Sequence, residues 1–456
     1  MNWEMDSFVA RQAIFDRELN VWGYELLFRS GLSDHCDEVD GEAATVRVIA
    51  NGLFEPGFEK LLHGRRATVN FDRSLLVSEM GRQLPMPPGT VIEVLETVEP
   101  DAEVLAACSA LRAQGFSIAL DDYTGDAMLD PLLEVADLLK IDVLVIPPAT
   151  QEKILERARA RGIRTVAEKV ETREEWERAR SAGYDYFQGF FFAQPVLVAT
   201  QQIPAAAHNA LGLMREVQGP ELDFVRLEQL IKREVGFSHR LLRYLNSAMF
   251  TFQGPVSSIR QALVLLGERE IRRWVTLATF SRLGSGKPME LVTQSMIRGR
   301  FCEMLGRESG FAADVDVFLL GVFSLLPALL DRPMAQLLEE LALAPELAAP
   351  LLGQANPGDR LAGLLSLVRA WEAGDWETVR LTASALDISA HTIGKIYVEA
   401  VCWADAIAAE SANVSTPKPA ATPATATPGA KAVPTAAGRS EPVTPRRSRP
   451  ARRLPN

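Results

Sequence analysis

Oxygen-bearing side chains close one apolar run after another in the first part of this chain. Glu25 sits in Tyr24-Glu25-Leu26-Leu27-Phe28-Arg29, and Asn70 ends Ala67-Thr68-Val69-Asn70. Glu93 lies in Val91-Ile92-Glu93-Val94-Leu95-Glu96, with Glu96 close behind it. Asp121 and Asp122 end Ser117-Ile118-Ala119-Leu120-Asp121-Asp122. Lys140 and Asp142 stand in Leu139-Lys140-Ile141-Asp142, Glu168 and Glu171 in Ala167-Glu168-Lys169-Val170-Glu171, and Gln188 precedes Gly189. Carboxylates and amides gathered at one place repel one another unless a cation joins them. Hard divalent ions such as Mg²⁺ or Mn²⁺ take this oxygen set. Two such ions clamp a phosphodiester and make a bound water more acidic. A lysine among them can orient that water, help deprotonate it or hold a phosphate. A single acidic residue at a strand end often does no more than cap a helix. Capping is a poor account of the same pattern on strand after strand.

The elements that must position these residues follow from the hydrophobic pattern. Short apolar runs occupy 8–15, 21–28, 67–71, 90–95, 116–122, 138–146, 164–168 and 184–192, and helical patterns such as 102–114 and 151–161 separate many of them. Gly115, Gly162 and Gly183 stand where C-terminal helix caps belong. Strand–helix alternation predicts parallel strands joined by crossover helices. Eight units predict a closed (β/α)8 TIM-like barrel with its site at the strand C-termini. Beyond a break near 196–204 the pattern predicts only helices: 205–217, 224–235, 238–247, 257–283, 290–308, 314–330, 334–342, 358–372, 375–386 and 390–409. The expected organisation is therefore a barrel over 1–200, an all-α domain over 201–409 and a disordered Pro/Ala/Thr-rich tail over 410–456.

In the order and spacing of these motifs, residues 8–197 resemble the EAL domain, the cyclic di-GMP phosphodiesterase fold. Glu25-Leu26-Leu27-Phe28-Arg29 is similar to the E-A-L-x-R signature, Glu93 and Glu96 to E-I-T-E, and Asp121-Asp122 to the start of D-D-F-G-T-G. Lys140 matches K-I-D, Glu168 and Glu171 match A-E-G-V-E, and Gln188 matches Q-G-Y. The resemblance implies metal ligands at Glu25, Asn70, Glu93, Asp121 and Asp122. It implies catalytic roles for Lys140, Glu168 and Glu171, and substrate contacts from Arg29, Gln188 and Glu96. The implied cofactors are Mg²⁺ or Mn²⁺, two ions in an active enzyme, with no organic cofactor. Three positions depart from the pattern. Tyr123-Thr124-Gly125-Asp126 replaces F-G-T-G in a shorter loop, Lys169 stands where the family has glycine, and Leu95 replaces a threonine.

The stretch Asn246-Ser247-Ala248, then Ser258-Ile259-Arg260-Gln261-Ala262, then Leu265-Leu266-Gly267 resembles the HDOD domain over about 205–400. Where hydrolases of the related HD type carry a His-Asp dyad, this chain reads Ser324-Leu325, and its five histidines are not spaced as a ligand set. The helical domain is thus expected to bind a protein partner and to hydrolyse nothing. Its run 317–330 reads as core. The joint order resembles the YuxH-type EAL–HDOD bacterial signalling family. Three readings stay open: a phosphodiesterase giving linear pGpG, a cyclic di-GMP receptor without turnover, and a pure protein scaffold. The resemblance leaves room for a homodimer through the barrel.

Composition narrows the classes. Of 456 residues, 47% are hydrophobic and 23% charged, the mix of a globular chain. The net charge is −11, but the segment from Ser411 carries eight basic residues and one acidic, so the rest stands at −18. An acidic body argues against broad nucleic-acid binding, except through the basic tail. Four dispersed cysteines without a CxxC read as reduced thiols in a cytoplasmic protein. No apolar stretch predicts a membrane span or a signal peptide.

Overall fold

The computed structural model describes residues 7–30, 61–84, 86–193, 205–219, 222–233, 241, 258–283, 287–311, 316–341, 343–356 and 358–412. The expected helix 238–247 (apart from Leu241), the Asn246-Ser247-Ala248 motif and the basic tail lie outside these residues. Eight strands close into a barrel in sequence order. They are β1 (Ser7–Phe15), β2 (Val21–Ser30), β3 (Arg66–Phe71), β4 (Val91–Val94), β5 (Ser117–Leu120), β6 (Leu138–Asp142), β7 (Arg164–Glu168) and β8 (Tyr186–Gln188).

From β2 to β8 every neighbouring pair is parallel, but β1 runs antiparallel to both β2 and β8. The expectation of a fully parallel barrel is corrected here, and the reason is local. Only residues 16–20 join β1 to β2, and a parallel pair needs a crossover of a dozen residues or more. The Asp16 carboxylate accepts from the backbone N–H groups of Glu18 (2.9 Å) and Asn20 (2.8 Å), which closes the chain into a reversal.

The crossovers carry their own start and stop signals. Asp101 caps Ala102–Ala113, and Thr172 with Glu175 forms a capping box on Arg173–Ala182. Gly162 and Gly183 end their helices in the left-handed conformation. Between β5 and β6 the crossover is a 3-10 turn, Ala127–Glu134, rather than a full α-helix.

Period-two alternation then stacks two layers inside the barrel. Ile14, Val91, Ala119, Leu138, Val166 and Tyr186 form a separate apolar cluster, the floor. Two residues nearer the mouth on the parallel strands stand Glu93, Asp121, Lys140, Glu168 and Gln188. On the reversed β1 the corresponding residue precedes its floor residue: Gln12 before Ile14.

The helical part packs around Met289–Glu308, Val317–Phe323, Arg360–Ala373 and Ala390–Ala412. The run expected as one helix over 314–330 divides at Ser324-Leu325 into Val317–Phe323 and Leu326–Leu330, and its apolar side chains are core as expected. A further helix, Pro345–Leu352, was not expected because Pro350 interrupts the pattern. Barrel and helices form one compact unit through Ser411. Ala10 and Leu61 of the barrel belong to the main helical core.

Buried polar groups also cross the seam between barrel and helices. Arg11 on β1 makes a bidentate pair with Asp405 at 3.0 and 3.2 Å, its backbone N–H donates to the Tyr397 hydroxyl, and its guanidinium lies 4.3 Å over the Tyr24 ring. Tyr24 on β2 donates to Glu290 at 3.1 Å. Among the described residues no helix is long and apolar enough to cross a membrane.

Candidate functional site at the barrel mouth

Lys140 defines the centre of the mouth. Its side chain is 2% exposed, and its ammonium lies 2.7 Å from Glu93, 2.8 Å from Asp121, 2.8 Å from Glu168 and 3.4 Å from Glu25. Strands β2, β4, β5, β6 and β7 each contribute one of these groups, because each carries a polar residue one step above the floor. Asn70 on β3 donates its amide N–H to Glu25 at 3.0 Å. Gln188 on β8 donates to Glu25 at 2.5 Å and to Gln12 at 2.7 Å. Gly189 lets this corner close, since a Cβ there would stand 2.1 Å from the Val170 carbonyl oxygen.

One ammonium among four carboxylates leaves a large negative surplus, and the protonation of the cluster records it. Burial works against the Lys140 charge, but Glu168, Glu25, Glu93 and Asp121 raise its pKa well above the usual value. Burial, with the neighbouring charge of Glu25, pushes Glu93 well above the carboxylate range. Burial also raises Glu168, to about 7. For Glu25 burial acts upward too, yet Lys140 and the donated bonds from Gln188 and Asn70 hold its pKa below the usual value.

Three buried oxygens in this corner lack a hydrogen-bond partner: Asn70 Oδ1, Glu93 Oε1 and Gln188 Oε1. Orphaned acceptors are costly in a low-dielectric interior and call for a donor or a cation. By donor chemistry the residues fit a hard divalent ion. Among the described residues no three His, Cys, Asp or Glu side chains are already arranged around a metal position. The Lys140 ammonium stands among the acidic groups.

The second rim of the mouth differs from the first. Asp122, after β5, has φ +42°, and Lys169, after β7, has φ +56°. The Lys169 ammonium lies 2.6 Å from Asp142 and 3.7 Å from Asp122. Asp142 accepts from the backbone N–H groups of Leu144 and Val145. Burial acts upward on Asp142, but the Lys169 bond and these two donors hold it below the usual carboxylate range. The loop after β5 is folded down: Tyr123 is buried, and its N–H donates to the Lys140 carbonyl at 2.8 Å.

Not every predicted site residue enters the cluster. Glu96 is exposed in the turn after β4. Glu171 is exposed, and its backbone N–H joins the capping box of the next helix. Arg29 lies at the end of β2, with its side chain outside the described residues. Leu95, at the threonine position of the motif, packs against the barrel core. Gln12 was missed from sequence. Its signal is a polar residue in the middle of an apolar strand, legible only once β1 is known to run backwards.

At the Ser324-Leu325 position of the helical part, Leu325 is buried and the Ser324 hydroxyl donates to the Gly321 carbonyl at 2.7 Å. Arg298 donates to that hydroxyl at 3.0 Å and to Glu372 at 2.8 Å. A buried ion pair fills this place.

Comparison with known proteins divides the chain at the same two regions. A family model for the EAL domain matches residues 71–195, and one for the HDOD domain matches residues 203–344. An uncharacterised protein, YuxH of Bacillus subtilis (strain 168), is 33% identical over 407 residues, covering 88% of this chain and 98% of that protein. The cyclic di-GMP phosphodiesterase CdgJ of Vibrio cholerae is 33% identical over 405 residues, covering 88% of this chain and 93% of that protein. Among solved structures, an EAL domain protein from Listeria monocytogenes is similar at 22% identity and a TM-score of 0.35, covering 41% of this chain and 87% of that one.

Proposed function

The chain belongs to the family of proteins that join an EAL domain to an HDOD domain, and from that premise we propose that it is a cyclic di-GMP signalling protein whose barrel mouth binds the messenger and opens one of its phosphodiesters to give linear pGpG. The observation that carries this reading is the Lys140 cluster, with four carboxylates and the orphaned oxygens of Asn70 and Glu93 converging at the mouth. A relative sharing 93% of its length with this chain is named for that activity, which supports the same reading.

Glu25, Asn70, Glu93 and Asp121 would hold a divalent ion, Mg²⁺ or Mn²⁺, with Asp122 on the neighbouring rim. When bound, such ions supply positive charge to the phosphodiester oxygens and make an attacking water more acidic. Lys140 offsets the surplus charge of the acidic groups and is placed to face a phosphate or a water once it swings free of them. Glu168, with its pKa raised to about 7, can hold or release a proton near neutrality. Gln188 orients Glu25, and the apolar floor excludes water from below. Glu171 keeps its proposed catalytic role, and Arg29 and Glu96 keep theirs as substrate contacts.

A second reading, binding without turnover, is favoured by one observation: the Lys169 ammonium already engages Asp122. The helical domain is proposed to report the state of the barrel to a protein partner. Barrel-mediated homodimerisation belongs to this reading as well. The free thiols Cys108, Cys302 and Cys402 go with a cytoplasmic setting.

Purified full-length protein incubated with cyclic di-GMP in Mg²⁺ or Mn²⁺, and resolved by chromatography, tests the reading. Linear pGpG is the expected product. Binding in Ca²⁺ with no product in either active metal would select the receptor, and the absence of both binding and product would remove the assignment.

A further inference from the structure

We propose that Lys169 is a tethered cation that takes the place of one of the two divalent ions, so that this barrel mouth binds a single ion on the Glu25 side. The inference rests on the reading of the mouth as a divalent-metal site and concerns how many ions it takes.

Lys169 has φ +56°, in the left-handed region that glycine enters freely and a lysine enters at a cost. At this position the family resemblance expects glycine. A residue that keeps a strained backbone and adds a long side chain needs compensation from contacts. The compensation here is electrostatic: the ammonium meets Asp142 at 2.6 Å and Asp122 at 3.7 Å.

Asp122 follows β5, Asp142 ends β6 and Lys169 follows β7, so one positive charge ties the C-terminal ends of three consecutive strands. An exposed lysine paired with an exposed acid would contribute little. Asp142, by contrast, is buried, and two backbone N–H groups fix its other oxygen. The half-exposed ammonium is therefore anchored to a rigid carboxylate, and the exposed Asp122 lies 3.7 Å to its side.

Among the described residues, the buried carboxylate and amide oxygens without partners are those of Asn70, Glu93 and Gln188, all on the Glu25 side of the mouth; the other orphaned oxygens are the hydroxyls of Thr68, Tyr123 and Thr279. On the Asp122 side a fixed cation is already present. An ion bridging Asp121 and Asp122 would share Asp122 with that ammonium and be repelled by it. On the Glu25 side the Lys140 ammonium is one charge among four carboxylates, so a negative surplus remains there for an ion, whereas Lys169 faces only Asp142 and Asp122.

The test counts ions. Mn²⁺ is titrated into the full-length protein by calorimetry, and the spin state of the bound metal is read by electron paramagnetic resonance. The unaltered chain is expected to take one Mn²⁺ with the spectrum of an isolated ion. Lys169→Gly, whose backbone suits the left-handed conformation, is expected to take two and to show an exchange-coupled pair. Lys169→Arg, which keeps the charge, should behave as the unaltered chain. A coupled pair of ions in the unaltered chain, or a single ion in both it and Lys169→Gly, would overturn the inference and leave the metal reading standing. Failure of the unaltered chain and of both folded variants to bind Mn²⁺ would remove the metal reading and the inference together.

Discussion

The barrel mouth and the seam between barrel and helices both bury charge, yet they are balanced differently. At the mouth one ammonium serves four carboxylates, and oxygens of Asn70 and Glu93 are left without partners. At the seam Arg11 meets Asp405 in a two-bond fork, while Glu290 accepts from the Tyr24 hydroxyl. At the seam the group left over is a donor rather than an acceptor: the buried Arg11 Nε has no partner. The mouth is short of positive charge and asks for a cation or a ligand. Both clusters hang on the same two strands: Arg11 and Tyr24 face outward, and their neighbours Gln12 and Glu25 face inward. A surplus of acceptors, rather than burial of charge as such, separates a site from a fastener.

The largest effect that could break this contrast lies at the seam. Asp405→Ala leaves Arg11 buried without its partner, and such a loss costs about 3–5 kcal/mol. A fall of that size in unfolding free energy is expected in denaturant titration of the full chain. A change below about 1 kcal/mol would mean the pair behaves like an exposed one. Replacing both partners with apolar residues, Arg11→Met with Asp405→Leu, should recover most of that loss, because neither charge is then stranded.

Next comes the mouth. Glu25→Ala removes the group that receives Asn70, Gln188 and Lys140, and is expected to lower turnover of cyclic di-GMP by more than about 10²-fold while the circular dichroism spectrum stays unchanged. Unchanged turnover in this variant would remove the metal-assisted reading. An apolar replacement that is tolerated at the seam should not be tolerated here: Lys140→Met strands four buried carboxylates and is expected to lower stability in denaturant titration as well as to lose turnover.

The smallest expected effect is a pH dependence. Burial raises the Glu290 pKa from 4.5 to about 7, with Arg11, the Tyr24 hydrogen bond and Arg65 acting downward and Asp405 upward. The folded protein therefore holds a proton that the unfolded chain has released between these two values. Its contribution to stability is fully present below the lower value and is lost as pH rises through the higher one. The melting temperature should fall from about pH 5.5 to about pH 7.5, and fall less in Glu290→Gln. Glu168 titrates with the same sign in both proteins, so the difference between them isolates the seam. An equal slope in the two would place the titration elsewhere.

Much of the mouth was legible in the residues themselves. Alternation along a strand is a local property, so an apolar floor residue two positions before an acid or a lysine marks the same layer on each parallel strand. The same local reasoning gave the capping glycines Gly162 and Gly183 and the helical character of the second half. It missed the helix Pro345–Leu352, since Pro350 masks a pattern that the surrounding core stabilises.

The sequence by itself determined which residues have the chemistry for the mouth and on which strands they stand, because strand period and residue type need no knowledge of distant partners. Only the tertiary structure decided that β1 runs backwards and brings Gln12 to Gln188. It alone joined Arg11 to Asp405 across 394 residues, turned Lys169 onto Asp142 and Asp122, and left Glu96 and Glu171 exposed. Those outcomes depend on barrel closure and on which faces the helices cover, and closure is a property of all eight strands at once, with no local pattern to announce it.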